Sequence, residues 1–259
     1  MYCAASEGGQ RVNPTKGARG TCPLCGHRVI AKCGPQKVWH WAHGPHENDC
    51  DPWAEGETRW HRSWQERAEP DCCEVVIGEH RADIRRRDGL VIELQHSWID
   101  PADVTERQRF YGNMWWLFDH PPWKNFRVWL SRDGVAKYRW MTRRRTPDYV
   151  TLPFFIDIGG PVMRVERLGP QGCGSGWGTL ITRAAFIEMA ELRPLTDEES
   201  TATSHYVLHT TSPRNPAADD DVIVPSLELA WWAVRGGGAI MITRHDLGGR
   251  TTTETVLYR

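Results

Sequence analysis

The run Cys22-Pro23-Leu24-Cys25-Gly26 sets two thiols on a short turn with a glycine behind them, a knuckle able to grip one metal ion from two sides. Four of the eight cysteines, at 22, 25, 33 and 50, fall in a window that also holds His27, His40, His43 and His46. That density of nitrogen and sulfur ligands fits zinc, and the uneven spacing of the cysteines argues against a disulfide framework. A second pair must close the tetrahedron. Cys50 supplies one member and His40 or His43 the other; His43 is expected because it is nearer Cys50, while His40 sits between Trp39 and Trp41, which read as core. Zinc held this way supplies on the order of 10 kcal/mol, enough to order a region with few aliphatic residues to bury.

A second set of residues is acidic. Asp83 and Glu93 lie in adjacent predicted strands joined by the Asp88-Gly89 turn, so their carboxylates can meet at one end of a hairpin. Paired carboxylates bind hard cations, and Mg²⁺ or Mn²⁺ between them suits hydrolysis of a phosphodiester. Strand alternation puts Gln95 on the same face as Glu93, where its amide can orient water, and the Leu94 carbonyl is placed to complete a coordination shell. Glu57, one turn before His61, adds a further carboxylate. Arg85, Arg86 and Arg87 follow the acidic strand directly and are expected to contact phosphate, as are Arg143, Arg144 and Arg145.

The elements that must carry these residues follow from pattern. Residues 54–68 contain no proline and place Trp60 and Trp64 on one face, a helix of about three turns. Residues 73–77, 80–85 and 90–95 read as three strands, residues 101–111 as a helix opened by Pro101, and residues 114–118 and 126–130 as strands. Further on, residues 149–158 read as strand, 159–178 as glycine-rich, and 183–192 as helix. Residues 194–221, rich in Ser, Thr, Asp, Glu and Pro, read as a surface linker, and residues 222–259 carry no interpretable motif.

The chain has 259 residues, 40% of them hydrophobic and 25% charged, which supports one large core or two modest ones and excludes a disordered tail protein. A net charge of −1 excludes a globally basic nucleic-acid coat but not a local basic cleft. No apolar stretch is long enough for a membrane helix, and the opening segment lacks the apolar core of a signal peptide, so a cytoplasmic protein without membrane partners is expected.

Six ordered motifs resemble the competence protein CoiA-like family of the PD-(D/E)XK, or restriction-endonuclease-like, nuclease superfamily. They are Cys22 to Gly26, His40-Trp41-Ala42-His43, Cys50, Glu57-Thr58-Arg59-Trp60-His61, Arg81-Ala82-Asp83, and Ile92-Glu93-Leu94-Gln95-His96-Ser97; Glu106-Arg107 and Tyr111 in the next helix also fit. The resemblance implies an α/β fold with an αβββαβ core (54–145) behind an N-terminal zinc module (1–53). Beyond the core the resemblance implies nothing specific; pattern alone sets the expected extension (146–193), linker (194–221) and C-terminal α+β segment (222–259). For activity, the resemblance implies a Mg²⁺-dependent nuclease acting on nucleic acid, DNA above all, with Asp83 and Glu93 as metal ligands, Gln95 where other members carry Lys, and Glu57 as helix carboxylate. The family commonly has a basic residue four positions after the helix His. This chain has Gln65 there; if that basic residue stands in for the missing Lys, its loss would weaken activity or pass the task to His61 or His96. The rival expectation is a non-cleaving DNA-binding or DNA-processing protein that keeps the fold.

Overall fold

The computed structural model describes residues 2–5, 9–44, 50–54, 56, 58–97, 99–119, 126–130, 135–140, 149–169, 174–210, 221–224 and 238–258. The N-terminal part forms a small sheet of β1 (Ala4–Ala5), β2 (Arg11–Val12), β3 (Arg19–Thr21), β4 (Arg28–Lys32) and β5 (His40–Ala42), in the order β2-β1-β3-β4-β5. Its core is minimal: Ala4, Cys22, Val29 and Trp41 are buried together. The Trp41 indole donates to the Val12 carbonyl at 3.0 Å and so ties the last strand to the second. Trp39, expected as core with it, precedes β5 and is 47% exposed.

The central elements follow in the expected order. Helix α1 (Arg59–Gln65) leads to β6 (Cys73–Ile77), β7 (His80–Arg85) and β8 (Val91–Gln95), then helix α2 (Pro101–Tyr111) and β9 (Met114–Asp119). Helix α1 is shorter than residues 54–68 because Thr58 caps it, its hydroxyl accepting from the His61 N–H at 3.1 Å. Asp100 caps α2 by accepting from Ala102, Pro101 opens it, and Gly112 at φ 67° ends it. Strands β6, β7 and β8 pair antiparallel, whereas β8 and β9 pair parallel across α2.

The strand beside β9 is β12 (Phe154–Asp157), also parallel, and not the chain's next strand β10 (Phe126–Leu130), which pairs with β11 (Ala136–Trp140). Strands β13 (Val162–Leu168) and β14 (Ser175–Ile181) continue the sheet. The glycines of the 159–178 stretch are therefore partly strand residues. A Cβ on Gly178 would stand 1.9 Å from the Arg164 carbonyl oxygen, so its absence is what lets β13 approach. Helix α3 (Arg183–Met189) packs Phe186 and Ile187 with Trp64, Ile84, Ile92, Leu94, Leu117 and Phe155 on one face of the sheet. On the other face Val104 of α2 meets Val91, Met114, Trp116, Phe154 and Ile156. Described residues of the 146–193 extension, among them Phe154, Phe155, Ile156, Val162 and Phe186, thus pack into the same core as Trp64, Ile92 and Leu117.

The 194–221 stretch differs from a linker as far as it is described. Its acidic run opens helix α4 (Asp197–Thr201), where Thr196 and Glu199 form a capping box, and β15 (Thr203–Thr210) follows. With β16 (Asp221–Val224), β17 (Gly238–Asp246) and β18 (Thr251–Tyr258) it completes a mixed sheet of 13 strands in the order β18-β17-β15-β16-β10-β11-β14-β13-β12-β9-β8-β7-β6. Among the described residues no helix is long and apolar enough to cross a membrane.

Candidate metal centre and acidic cleft

Cys22 ends the β3 side of a tight turn whose backbone is closed twice, by Cys22 N–H to the His27 carbonyl at 2.8 Å and by Gly26 N–H to the Cys22 carbonyl at 2.9 Å. Gly26 takes φ 74°, a left-handed conformation that glycine adopts without strain, and this turns Cys25 back beside Cys22. His43 enters from just beyond β5 and Cys50 from the segment after it. One ligand atom from each of Cys22, Cys25, His43 and Cys50 lies within 4.8 Å of every other. The Cys22 and Cys50 sulfurs are 3.6 Å apart, and the Cys25 sulfur is 3.3 Å from His43 Nε2. Tetrahedral Zn–S bonds of about 2.3 Å put sulfur atoms roughly 3.8 Å apart, so the cluster could hold zinc with little movement. Burial and the neighbouring Cys22 and Cys25 thiols push Cys50 up to about 12, and a bound cation would reverse that by favouring the thiolate. His40 is elsewhere: its Nδ1 meets the Val38 carbonyl at 2.8 Å.

The acidic residues converge where β7 and β8 part. The ladder between these strands consists of Ile84 opposite Ile92 and Arg85 opposite Val91. Beyond it the Asp83 side chain takes over: Oδ2 accepts from the Leu94 N–H at 2.8 Å, and Oδ1 accepts from Gln65 Nε2 at 3.3 Å. The Asp83 N–H in turn points to Glu93 Oε1 at 3.4 Å. Glu93 is 4% exposed, and its Oε2 accepts from Arg107 Nη1 at 3.0 Å. Burial first, then the Asp83 charge, raises the Glu93 carboxyl to about 7 despite Arg107. His61 Nε2 donates to the Leu94 carbonyl at 2.7 Å, which leaves Nδ1 to take the Thr58 hydroxyl at 2.9 Å when the ring is neutral.

Together Trp53, Ala54, Gly56, His61, Glu74, Arg81, Asp83, Glu93, Leu94 and Arg107 line a cleft of about 30 Å³, room for two or so waters. Asp83, Glu93, His61 and the Leu94 backbone meet here, as the sequence suggested. Gln95 does not line it. Its amide donates to the Ser97 carbonyl at 3.0 Å, and the residue is 1% exposed. Arg86 also departs from the expected role, since it reaches the Met189 carbonyl at 2.9 Å and pairs with Asp88 and Glu191, while Arg85 and Arg87 are exposed. Glu57 and Arg143 to Arg145 lie outside the described residues.

Four contributors have no role assigned from the sequence, although Arg81 and Arg107 fall in the family motifs. Arg107 anchors Glu93 and donates to the Trp53 carbonyl at 2.9 Å. Arg81 Nε lies 3.4 Å from Glu74 Oε1, and Glu74 Oε2 accepts from the N–H groups of Tyr2 and Cys3 at 2.8 and 2.7 Å. Burial opposes ionisation of Glu74, but Arg81 and these N–H groups outweigh it and hold the carboxyl below its ordinary value. The fourth, Trp53, stacks on His80, whose Nδ1 meets Asp51 at 2.9 Å. Asp51 also accepts from the Arg81 N–H at 2.8 Å, so the segment from Cys50 to Trp53 joins the metal cluster to the cleft.

Residues 14–51 match the family model of the competence protein CoiA N-terminal domain, a span that contains β3, β4, β5 and all four residues of the Cys/His cluster. The match ends before the acidic cleft begins. No curated protein and no solved structure matches the chain.

Proposed function

We propose that the chain is a metal-dependent nuclease of the PD-(D/E)XK kind that hydrolyses DNA phosphodiester bonds, with a structural zinc ion in its N-terminal module. The observation that carries this reading is the convergence of Asp83 and Glu93 in one small cleft, close enough that the Asp83 charge disfavours ionisation of Glu93. Two such carboxylates and the Leu94 carbonyl form an all-oxygen donor set suited to Mg²⁺ or Mn²⁺. A divalent cation held there would supply the positive charge that stabilises a phosphodiester under attack by water.

The protein's own groups do the positioning. Leu94 N–H and Gln65 fix both oxygens of Asp83, and Arg107 takes one oxygen of Glu93, leaving the other turned towards Asp83. His61 keeps the Leu94 carbonyl in place from α1. The zinc cluster sets the position of Cys50 and through it the Asp51 and Trp53 contacts to Arg81 and Arg107.

The buried Arg107–Glu93 pair favours a second reading, a nucleic-acid-binding protein that does not cut, because Glu93 already has a cation of its own. Labelled single- and double-stranded DNA incubated with Mg²⁺, with Mn²⁺ and with EDTA separates the two. Cleavage should require the cation and vanish in Asp83→Asn and Glu93→Gln. A wild-type chain that binds DNA and never cuts it under either cation establishes the second reading.

A further inference from the structure

The Arg81 side chain is 7% exposed, yet its Nη1 makes no hydrogen bond among the described residues, although it lies in the wall of the cleft. A buried guanidinium nitrogen without an acceptor costs free energy that a bound anion recovers. Its position is fixed from two sides: Asp51 holds its backbone N–H, and Glu74 holds Nε. Glu74 is itself spent on Tyr2 and Cys3, and it keeps a left-handed backbone at φ 46°, a strain the buried contacts maintain. The fork of Arg81 is therefore presented ready-made and is not searching for a partner.

Charge in the cleft points the same way. Glu74, Asp83 and Glu93 face Arg81 and Arg107, so the fully ionised lining carries one net negative charge. One divalent cation on Asp83 and Glu93 reverses that sign, and the loaded cleft then attracts a single anion next to the cation.

We propose that Arg81 is the anion anchor of this cleft and that Nη1 receives a non-bridging oxygen of a single nucleic-acid phosphoryl group. The substrate class named here rests on the nuclease reading, whereas the oxyanion site rests on the geometry of Arg81. Arg107 serves differently, because its Nη1 and Nη2 are both engaged and it positions Glu93.

The test measures binding of a short single-stranded oligonucleotide to the full chain in Ca²⁺, with inorganic phosphate as competitor. Arg81→Lys keeps a cation beside Glu74 but loses the second arm of the fork. It should weaken binding on the order of 10-fold and lose competition by phosphate, while Arg167→Lys, at an exposed position on β13, should match wild type. A double variant, Glu74→Gln with Arg81→Met, removes the buried pair together and should bind at least as weakly. In the wild type, the Arg81 and Asp83 amide resonances should shift on titration with the oligonucleotide. Unchanged affinity in either variant, or amides that stay in place while the oligonucleotide binds, overturns the proposal. DNA cutting that survives Arg81→Lys undiminished leaves the nuclease standing without this anchor. Binding lost in Arg81→Lys by a chain that never cuts leaves the anchor standing without the nuclease.

Discussion

The Cys/His cluster and the acidic cleft both gather ligand-type side chains, but they handle their charge in different ways. In the cluster, sulfur faces sulfur and sulfur faces imidazole, and the knuckle encloses nothing but prospective ligands. In the cleft, each carboxylate arrives with a compensating donor: Leu94 N–H and Gln65 for Asp83, Arg107 for Glu93, Arg81 and two backbone N–H groups for Glu74. The first arrangement has no such compensation and could be filled by a metal ion. The second can be assembled before any ion arrives, which suits a site that exchanges its ligand.

The largest effect that could break this contrast is loss of zinc. Cys50→Ser, or chelation of the wild type, should abolish stoichiometric zinc in elemental analysis and unfold the small N-terminal sheet, since binding energy on the order of 10 kcal/mol is at stake. A chain that keeps its unfolding profile without zinc would place both sites in the same class.

Next comes the buried pair. Glu93→Ala should destabilise the protein by about 3–5 kcal/mol in denaturant titrations, because Arg107 is left charged and buried. Removing Mg²⁺ from the wild type should cost far less, and Glu93→Ala being as stable as wild type would mean that Arg107 is not the counter-charge.

A pH series sharpens the comparison further. Glu93 is raised from 4.5 to about 7 in the folded chain, so between those values the native state binds more protons than the unfolded one. Its contribution is fully present below about pH 4.5 and is lost as the pH rises through 7, with a slope of at most roughly 1.4 kcal/mol for each tenfold fall in proton concentration. Glu93→Gln should flatten this slope in urea midpoints taken from pH 5 to 8. Mg²⁺ should correspondingly stabilise the wild type more at pH 8 than at pH 5.5, because it competes with the same proton.

The smallest effects concern the arginine run. Arg86→Ala should cost about 1 kcal/mol or less, since its partners Asp88 and Glu191 are more than half exposed, and should leave DNA affinity unchanged. Charge reversal at Arg85 and Arg87 should lower the salt slope of DNA binding by about one for each phosphate that is no longer neutralised.

What could be read in advance follows sequence distance. Cys22 and Cys25 sit on one turn, and Asp83 and Glu93 on one hairpin, so local spacing located both pairs, and His43 with Cys50 was reached from the same window. Arg107 had a signal that went unused: it shares the helical stripe of Val104, Gln108 and Tyr111, where a charged residue has to find a partner. The alternation of Arg81 with Asp83 along β7 was a similar sign. The tie of Glu74 to Tyr2 and Cys3 had none, because those residues are 72 and 71 positions away. Residues 194–210 differ from the expected linker for another reason: acids that form the first turn of a helix resemble a polar tail until the Thr196 cap is recognised.

The tie from Tyr2 and Cys3 to Glu74 bears on the order in which the chain matures. The four cluster residues are all available once Cys50 has been made, so the metal knuckle can close while the rest of the sheet does not yet exist. The Arg81 support cannot, since Glu74 must emerge and then recapture Tyr2 and Cys3, the former across a loop of 72 residues. Closing so long a loop is slower than closing a turn, although its entropic cost grows only logarithmically with length. During synthesis the two sites therefore come of age in sequence, and the anion-binding wall of the cleft is completed after the knuckle that stands beside it.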